Sequence, residues 1–260
     1  MLDPAAVHRA IQRTTPTVVY HCAGAAHVGH AWHHTEATLA INVRATEFLL
    51  DAVAAAGLRT TVLVPSSAMV YRPAGYPLRE DGELAPQNPY GVTKLAAEML
   101  AARYCAEGLD ARIVRPFNHI GPRQSASFVA SDFARQIVEI ERGRQSPEIV
   151  VGNLEARREL TDVRDTVRAY EVVVERGEPG RPYNVASGTA RPVRDLLDAL
   201  IARSGLSVAV RVDPQRFQPN DLPLLVGDPS RIQTELGWLP EIPFERTLDD
   251  VLEYWRAEPA

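Results

Sequence analysis

Tyr90 and Lys94 stand four residues apart in the stretch Tyr90-Gly-Val-Thr-Lys94. On an α-helix this spacing puts both side chains on one face, about 5 to 6 Å apart at their β-carbons, where an ammonium favours phenolate and lowers the tyrosine pKa. A tyrosine tuned in this way can protonate an oxygen near neutral pH. The same spacing occurs on ordinary solvated helix faces, so the surrounding sequence decides its meaning. Ser66 and Ser67 end the apolar run that starts at Thr60. If that run is a strand of an open parallel sheet, its carboxyl end lines the ligand crevice. Serine, tyrosine and lysine converging there would bind a carbonyl oxygen, supply its proton and leave the adjacent carbon open to hydride.

Other chemistries fit less well. A hydrolase with Ser67 as nucleophile needs a base and a G-x-S-x-G elbow, which Pro65-Ser-Ser-Ala-Met69 does not supply. His21, His27, His30, His33 and His34 cluster early, but no cysteine or carboxylate completes a zinc motif, so no metal is expected. The cluster reads as a loop flanking the site, with His21 packed or hydrogen-bonded at a strand end. Arg157-Arg158-Glu159 could hold phosphates through forked hydrogen bonds or form a solvated charge run. Asn118 closes the run ARIVRPFN, a strand-end position suited to ligand contact and equally to a turn.

The elements that must position these residues follow from periodicity. Residues 3 to 14 and 37 to 56 carry helical spacing, the second ending at Gly57. TVVYHCAG and TTVLVPSSAMVY read as apolar strands, the second breaking into polar residues at Pro65. A Pro- and Gly-rich loop from Arg72 to Asn88 leads into a helix that begins at Tyr90, then strand ARIVRPFN. Strands alternating with such helices predict βαβ units and a partial Rossmann-like parallel sheet with flanking helices, an α/β fold. Beyond Gly121 the expected pieces are helices at 126–142, 162–176, 192–204 and 245–256 with strands at 148–151, YNVAS and VAVRVDP. They suggest a truncated Rossmann-like domain over 1–120 and a smaller C-terminal substrate lobe over 121–260 that returns segments to the first domain.

Composition narrows the class. The chain has 260 residues, 45% hydrophobic and 23% charged, with a net charge of −5. That balance offers no basic face to nucleic acid. No apolar run reaches the roughly 18 residues that would span a bilayer, and the start lacks a signal-peptide pattern, which places the protein in the cytoplasm. Cys22 and Cys105 read as small buried thiols.

Several motifs in order, HCAG at 21–24, NVRATEFLLDA at 42–52, PSSAMVY at 65–71 and NPYGVTK at 88–94, resemble the extended short-chain dehydrogenase/reductases over essentially the whole chain. RPFNHIGPRQS at 115–125, VGNLEARRELTDVRD at 151–165, YNVASG at 183–188 and LLVGDPSRIQTELGW at 224–238 resemble the GDP-mannose 4,6-dehydratases and, more closely, the GDP-4-keto-6-deoxymannose reductases. The resemblance implies Ser67, Tyr90 and Lys94 as catalytic residues. It implies Cys22, Ala23, Gly24, Pro65 and Pro116, with Tyr90 and Lys94, at an NADP or NAD coenzyme. It implies Asn118, Arg158 and Asp221 on a GDP-sugar, although Gln218 stands where the family often has arginine. Dehydratases of this group carry an acid two positions after the catalytic serine or threonine; here that position is Met69, and a thioether cannot move a proton. The resemblance therefore implies ketone reduction to GDP-rhamnose, with an NAD-dependent epimerase or a noncatalytic nucleotide-sugar-binding protein as the alternatives.

The family's glycine-rich turn has no counterpart, since Gly24, Gly29 and Gly121 lack its spacing. The sequence reads as beginning after the family's third strand, roughly fifty residues in. An incomplete coenzyme site and an exposed apolar edge at TVVYHCAG, shielded by the first helix or a second chain, are the expectations. The helices at 37–56 and 89–107 resemble the pair that family dimers pack as a four-helix bundle, which implies a homodimer.

Overall fold

The protein is described from a computed structural model covering residues 1–217 and 222–259. Along the chain run α1 (Pro4–Thr14), β1 (Val18–Tyr20), α2 (Val28–His33), α3 (Thr35–Leu39), α4 (Ala45–Ala56), β2 (Thr61–Pro65), α5 (Pro89–Ala106), β3 (Ala111–Pro116) and β4 (His119–Ile120). There follow α6 (Val129–Glu141), β5 (Glu148–Val151), β6 (Arg157–Arg158), β7 (Thr161–Asp162), α7 (Val163–Arg176), β8 (Pro182–Val185) and β9 (Arg191–Pro192). The last elements are α8 (Val193–Ser204), β10 (Ala209–Val212), β11 (Leu224–Leu225), α9 (Ser230–Leu236) and α10 (Phe244–Ala257).

Four strands in the order β1-β2-β3-β8 form one parallel sheet. Parallel strands buried on both faces need apolar side chains throughout, and Val62, Leu63, Val64, Ile113 and Val114 supply them at 0 to 1% exposure. On one face α1, α4 and α5 pack through Val7, Ile11, Leu50, Val53 and Ala101. On the other, α7 and α9 bury Val173 and Ile232 against Leu63 and Tyr183. The expected sheet with flanking helices is therefore present. The return of β8 to it makes residues 182–185 part of the sheet.

A second core joins α6, α8 and α10, with Phe133, Ile137, Leu196, Leu197 and Leu200 fully buried. Leu200→Ala there would cost about 2–5 kcal/mol through lost transfer energy and the cavity left behind.

Three details differ from the sequence expectations. The helix expected at 37–56 contains a π-helical stretch at Ala40–Arg44 between α3 and α4, a one-residue widening that alters which side chains face inward. The strand TTVLVPSSAMVY stops at Pro65 and tightens into a 3₁₀ turn at Ala68–Val70, because the Ser67 hydroxyl accepts the Met69 amide at 3.1 Å and caps the turn. The run TVVYHCAG yields only Val18–Tyr20, where Val18 and Tyr20 are exposed. α1 packs on α4 and does not cover them. Beyond that edge Cys22 is exposed, against expectation, since no described strand lies outside β1; Cys105 is half-buried and its thiol donates to Ala111 O at 3.1 Å.

Candidate active site

Parallel pairing brings the carboxyl ends of β1, β2 and β3 to one side of the sheet. α5 delivers its amino end to the same side. Its start is fixed by Pro89 in the first turn and by Asn88, whose Oδ1 accepts the Gly91 amide at 2.8 Å. Gly91 is required there: a β-carbon would lie 2.3 Å from Met69 O and 2.9 Å from Pro86 Cβ. The glycine lets α5 seat directly on the Ser67 turn.

A cavity of about 470 Å³ opens at this junction. Ser67, Met69, Tyr90, Pro116 and Asn118 all line it. Lys94 lies one helical turn along α5, half-buried, near the Cys22 thiol. Arg158 is elsewhere: on β6, half-buried, its guanidinium donates to Arg157 O at 2.9 Å, and it is not part of the cavity lining. Asp221, like Gln218, lies outside the described residues.

The electrostatics depart from the simple Tyr-Lys expectation. Burial pushes the Tyr90 phenol up from its ordinary value, and the Ser67 hydroxyl pulls it back down through a hydrogen bond. Desolvation of the phenolate outweighs any help from the Lys94 ammonium. Burial also lowers Lys94 to about 8. His119, on the cavity wall, is held below its ordinary value by burial, so its imidazole is neutral near pH 7.

His21 is buried and hydrogen-bonded, as its strand-end position implies: Nε2 meets Thr46 Oγ1 at 2.9 Å, and burial lowers its pKa to about 4. The other histidines do not build a metal site. His27 caps α2 by accepting the His30 amide at 3.1 Å, His30 and His34 stack at 4.0 Å, and among the described residues no three ligating side chains converge.

The sequence gives Asn42 no role and Glu159 a different one. Asn42, 3% exposed, is placed by the π stretch. Its Oδ1 accepts the Ala25 amide at 2.8 Å, and its Nδ2 donates to Ala25 O at 3.1 Å and Thr93 Oγ1 at 2.9 Å. Thr93 Oγ1 in turn donates to Tyr90 O at 2.7 Å. One amide thus ties the loop after β1 to α5. The available signal was Asn42 and Thr46 continuing the buried stripe of Leu49, Leu50 and Val53, where a polar residue needs partners. Glu159 is neither phosphate ligand nor part of a solvated charge run. Fully buried, it accepts the Ser187 amide at 2.5 Å, the Ser187 hydroxyl at 3.0 Å and the Gly227 amide at 2.5 Å.

The site suits a dinucleotide at the strand ends. A β-carbon on Gly24 would stand 3.0 Å from Asn42 Oδ1, so this position favours a glycine whose backbone can be approached closely. Among the described residues no carboxylate acts on the Lys94 ammonium, and its three donors match ribose hydroxyls.

The sequence profile of the GDP-mannose 4,6 dehydratase family matches residues 1–251. GDP-6-deoxy-D-mannose reductase of Pseudomonas aeruginosa is 36% identical over 246 residues, covering 93% of this chain and 81% of the relative. GDP-mannose 4,6-dehydratase of Sinorhizobium fredii is 28% identical, covering 93% and 75%. Among solved structures, RMD from Pseudomonas aeruginosa complexed with NADPH aligns with a TM-score of 0.92 at 34% identity, covering 98% of this chain and 86% of that one.

Proposed function

Because the chain belongs to the GDP-mannose 4,6-dehydratase family, we propose that it carries out the NAD(P)H-dependent reduction of the C4 ketone of GDP-4-keto-6-deoxymannose to GDP-rhamnose. The observation that carries this reading is Met69. It lines the cavity beside Ser67 and Tyr90, with Asn88 Nδ2 on its sulfur at 3.7 Å. A reductase needs one proton donor at the ketone oxygen, whereas elimination of water needs a further acid/base that a thioether cannot be.

When bound, the dinucleotide supplies hydride to the carbonyl carbon. Tyr90 donates its phenolic proton to the oxygen that becomes the C4 hydroxyl, and Ser67 hydrogen-bonds the same oxygen as charge builds on it. Lys94 holds the cofactor ribose and supplies positive charge one turn from the phenolate left behind. In this reading Cys22, Ala23, Gly24, Pro65 and Pro116 contact the coenzyme, and Asn118, Arg158 and Asp221 the GDP-sugar. Residues 1–120 with the returning strand serve the coenzyme and the remainder the sugar nucleotide.

Leu39, Ile41, Val92 and Met99 leave exposed apolar surface along α3, the π stretch and α5, and this surface supports a homodimer. Light scattering should give twice the 28.6 kDa chain mass; a monomer mass counts against it. No described helix is long and apolar enough to cross a membrane, and we place the protein in the cytoplasm.

The deciding experiment is product analysis. With GDP-4-keto-6-deoxymannose and NADPH, loss of the 340 nm absorbance should accompany formation of GDP-rhamnose, while GDP-mannose should stay intact. Loss of water from GDP-mannose, or a ketone left unreduced, would overturn the assignment.

A further inference from the structure

Arg115 joins three parts of the site from behind. It is 3% exposed on β3, immediately before the cavity residue Pro116. Its Nε and Nη2 donate to Glu98 Oε2 at 3.0 Å and Oε1 at 2.5 Å. Its Nη1 donates to Tyr71 Oη at 2.8 Å and to Glu80 O at 3.0 Å. Tyr71 Oη donates onward to Asn184 Oδ1 at 2.6 Å on the neighbouring strand β8.

The positions of these partners matter more than their number. Glu98 lies four residues past Lys94 and eight past Tyr90, so all three form one row along α5. Tyr71 closes the 3₁₀ turn that Ser67 opens. The two hydroxyls of the site therefore sit on separate segments, α5 and the Ser67 turn, and both segments are anchored to one planar guanidinium. A buried ion pair is a weak source of stability, because apolar side chains of similar volume often replace it without loss. A guanidinium fork does fix direction at each bond it makes, which a point charge or an apolar contact does not.

We propose that Arg115 is a positioning residue whose guanidinium, holding α5 through Glu98 and the Ser67 turn through Tyr71, sets how the Ser67 hydroxyl is placed against the Tyr90 phenol in the cavity they both line. This rests on the reading of Ser67 and Tyr90 as the pair that handles the proton. The hub acts through their geometry and touches no substrate atom.

The test is carbon NMR of the 260-residue chain labelled at tyrosine Cζ, whose shift reports hydrogen bonding at the phenol. Tyr90→Phe assigns the Tyr90 resonance, and Ser67→Ala marks where it lies without its partner. Arg115→Met combined with Glu98→Leu, and separately Tyr71→Phe, should move the resonance toward the Ser67→Ala position. Leu200→Ala, a core loss in the other lobe, should lower the melting temperature and leave the resonance in place. In turnover with the keto sugar, the hub variants should lose at least about tenfold in kcat with KM within about twofold. A resonance unmoved in the folded hub variants, or moved equally by Leu200→Ala, overturns the proposal. Should the double variant fail to fold, Tyr71→Phe decides alone, since it removes one hydroxyl and keeps the ring. Absent ketone reduction by the parent chain would defeat the functional reading and leave the NMR result standing.

Discussion

The two halves of the molecule bury polar groups by different means. Around the crevice, neutral groups carry much of the buried polar pairing: Asn42, Thr46, Thr93 and the His21 imidazole bond one another and backbone, beside the charged Arg115–Glu98 pair and the buried Glu80, which accepts the Asn184 amide at 2.9 Å. In the C-terminal lobe the same task falls to carboxylates. Glu159 gathers the Ser187 and Gly227 amides, and Asp165 accepts those of Glu241 and Ile242 at 3.0 and 2.9 Å. Asp162 takes the Arg164 amide at 2.8 Å and the Thr247 hydroxyl at 2.7 Å. A carboxylate offers four acceptor sites and a full charge, whereas a side-chain amide or hydroxyl both donates and accepts and adds little field. Beside the Tyr90 phenol the Asn42–Thr93 tie adds little field, while in the C-terminal lobe carboxylates hold distant segments together.

The largest test removes one such carboxylate. Glu159→Ala leaves the buried Gly227 amide and the half-buried Ser187 amide and hydroxyl without their acceptor, and at about 1–3 kcal/mol for each orphaned group the loss should reach about 3 kcal/mol. Urea unfolding measures it. A loss below about 1 kcal/mol would mean that water or neighbouring carbonyls replace the carboxylate, and the contrast between the halves would be overstated.

Proton uptake sharpens the comparison, because the two halves respond to pH with opposite sign. Burial lowers His21 to about 4, so the unfolded chain takes up that proton first. The stability it contributes is full above the ordinary value of 6.5 and is lost as pH falls from there toward 4. Glu159 is raised from 4.5 to about 7, by burial outweighing its amide donors, so its contribution is full below 4.5 and lost as pH rises through 7. Each shift corresponds to about 3 kcal/mol at most, and between pH 4.5 and 6.5 the two nearly cancel. Relative to the parent, His21→Gln should gain stability as pH falls through that window, and Glu159→Gln should gain it as pH rises. Parallel curves for parent and variants across pH 4 to 8 would contradict both assignments.

The same contrast explains what could be read in the sequence. The sheet and its long helices show as apolar periodicity, and Ser67, Tyr90 and Lys94 show because a strand end and a four-residue spacing are local signals. Asn42 meets partners 17 and 51 residues away, and Glu159 meets groups 28 and 68 residues away. No spacing within a helix or strand encodes such pairings. The two-residue strands β4, β6, β7, β9 and β11 are too short to carry any period. Tyr90's environment was misread for a related reason: the ammonium is visible in sequence, while the burial that outweighs it arises only when Ser67, Met69 and α5 close together.

Asn42 offers a smaller and more local test. Asn42→Ala removes three hydrogen bonds between the loop after β1 and α5, at a cost of about 2 kcal/mol from the groups left unpaired. Since this tie runs through Thr93 to the Tyr90 carbonyl, kcat should fall by about tenfold or more as the helix start loosens. Full activity with reduced stability would separate the tie from the chemistry and assign it to folding alone.

Thr93→Val should have the smallest effect, about 1 kcal/mol. It keeps the side-chain shape and removes one hydroxyl that donates to Tyr90 O at 2.7 Å, leaving Asn42 its two bonds to Ala25. The informative quantity is the double-mutant cycle with Asn42→Ala. If Asn42 acts on α5 through Thr93, the two losses will fall short of additivity by about the worth of the shared bond, because the second substitution removes a contact already gone. Additive losses would mean that Asn42 steadies the loop and Thr93 steadies the helix independently. The neutral network of the crevice would then be two separate fixings.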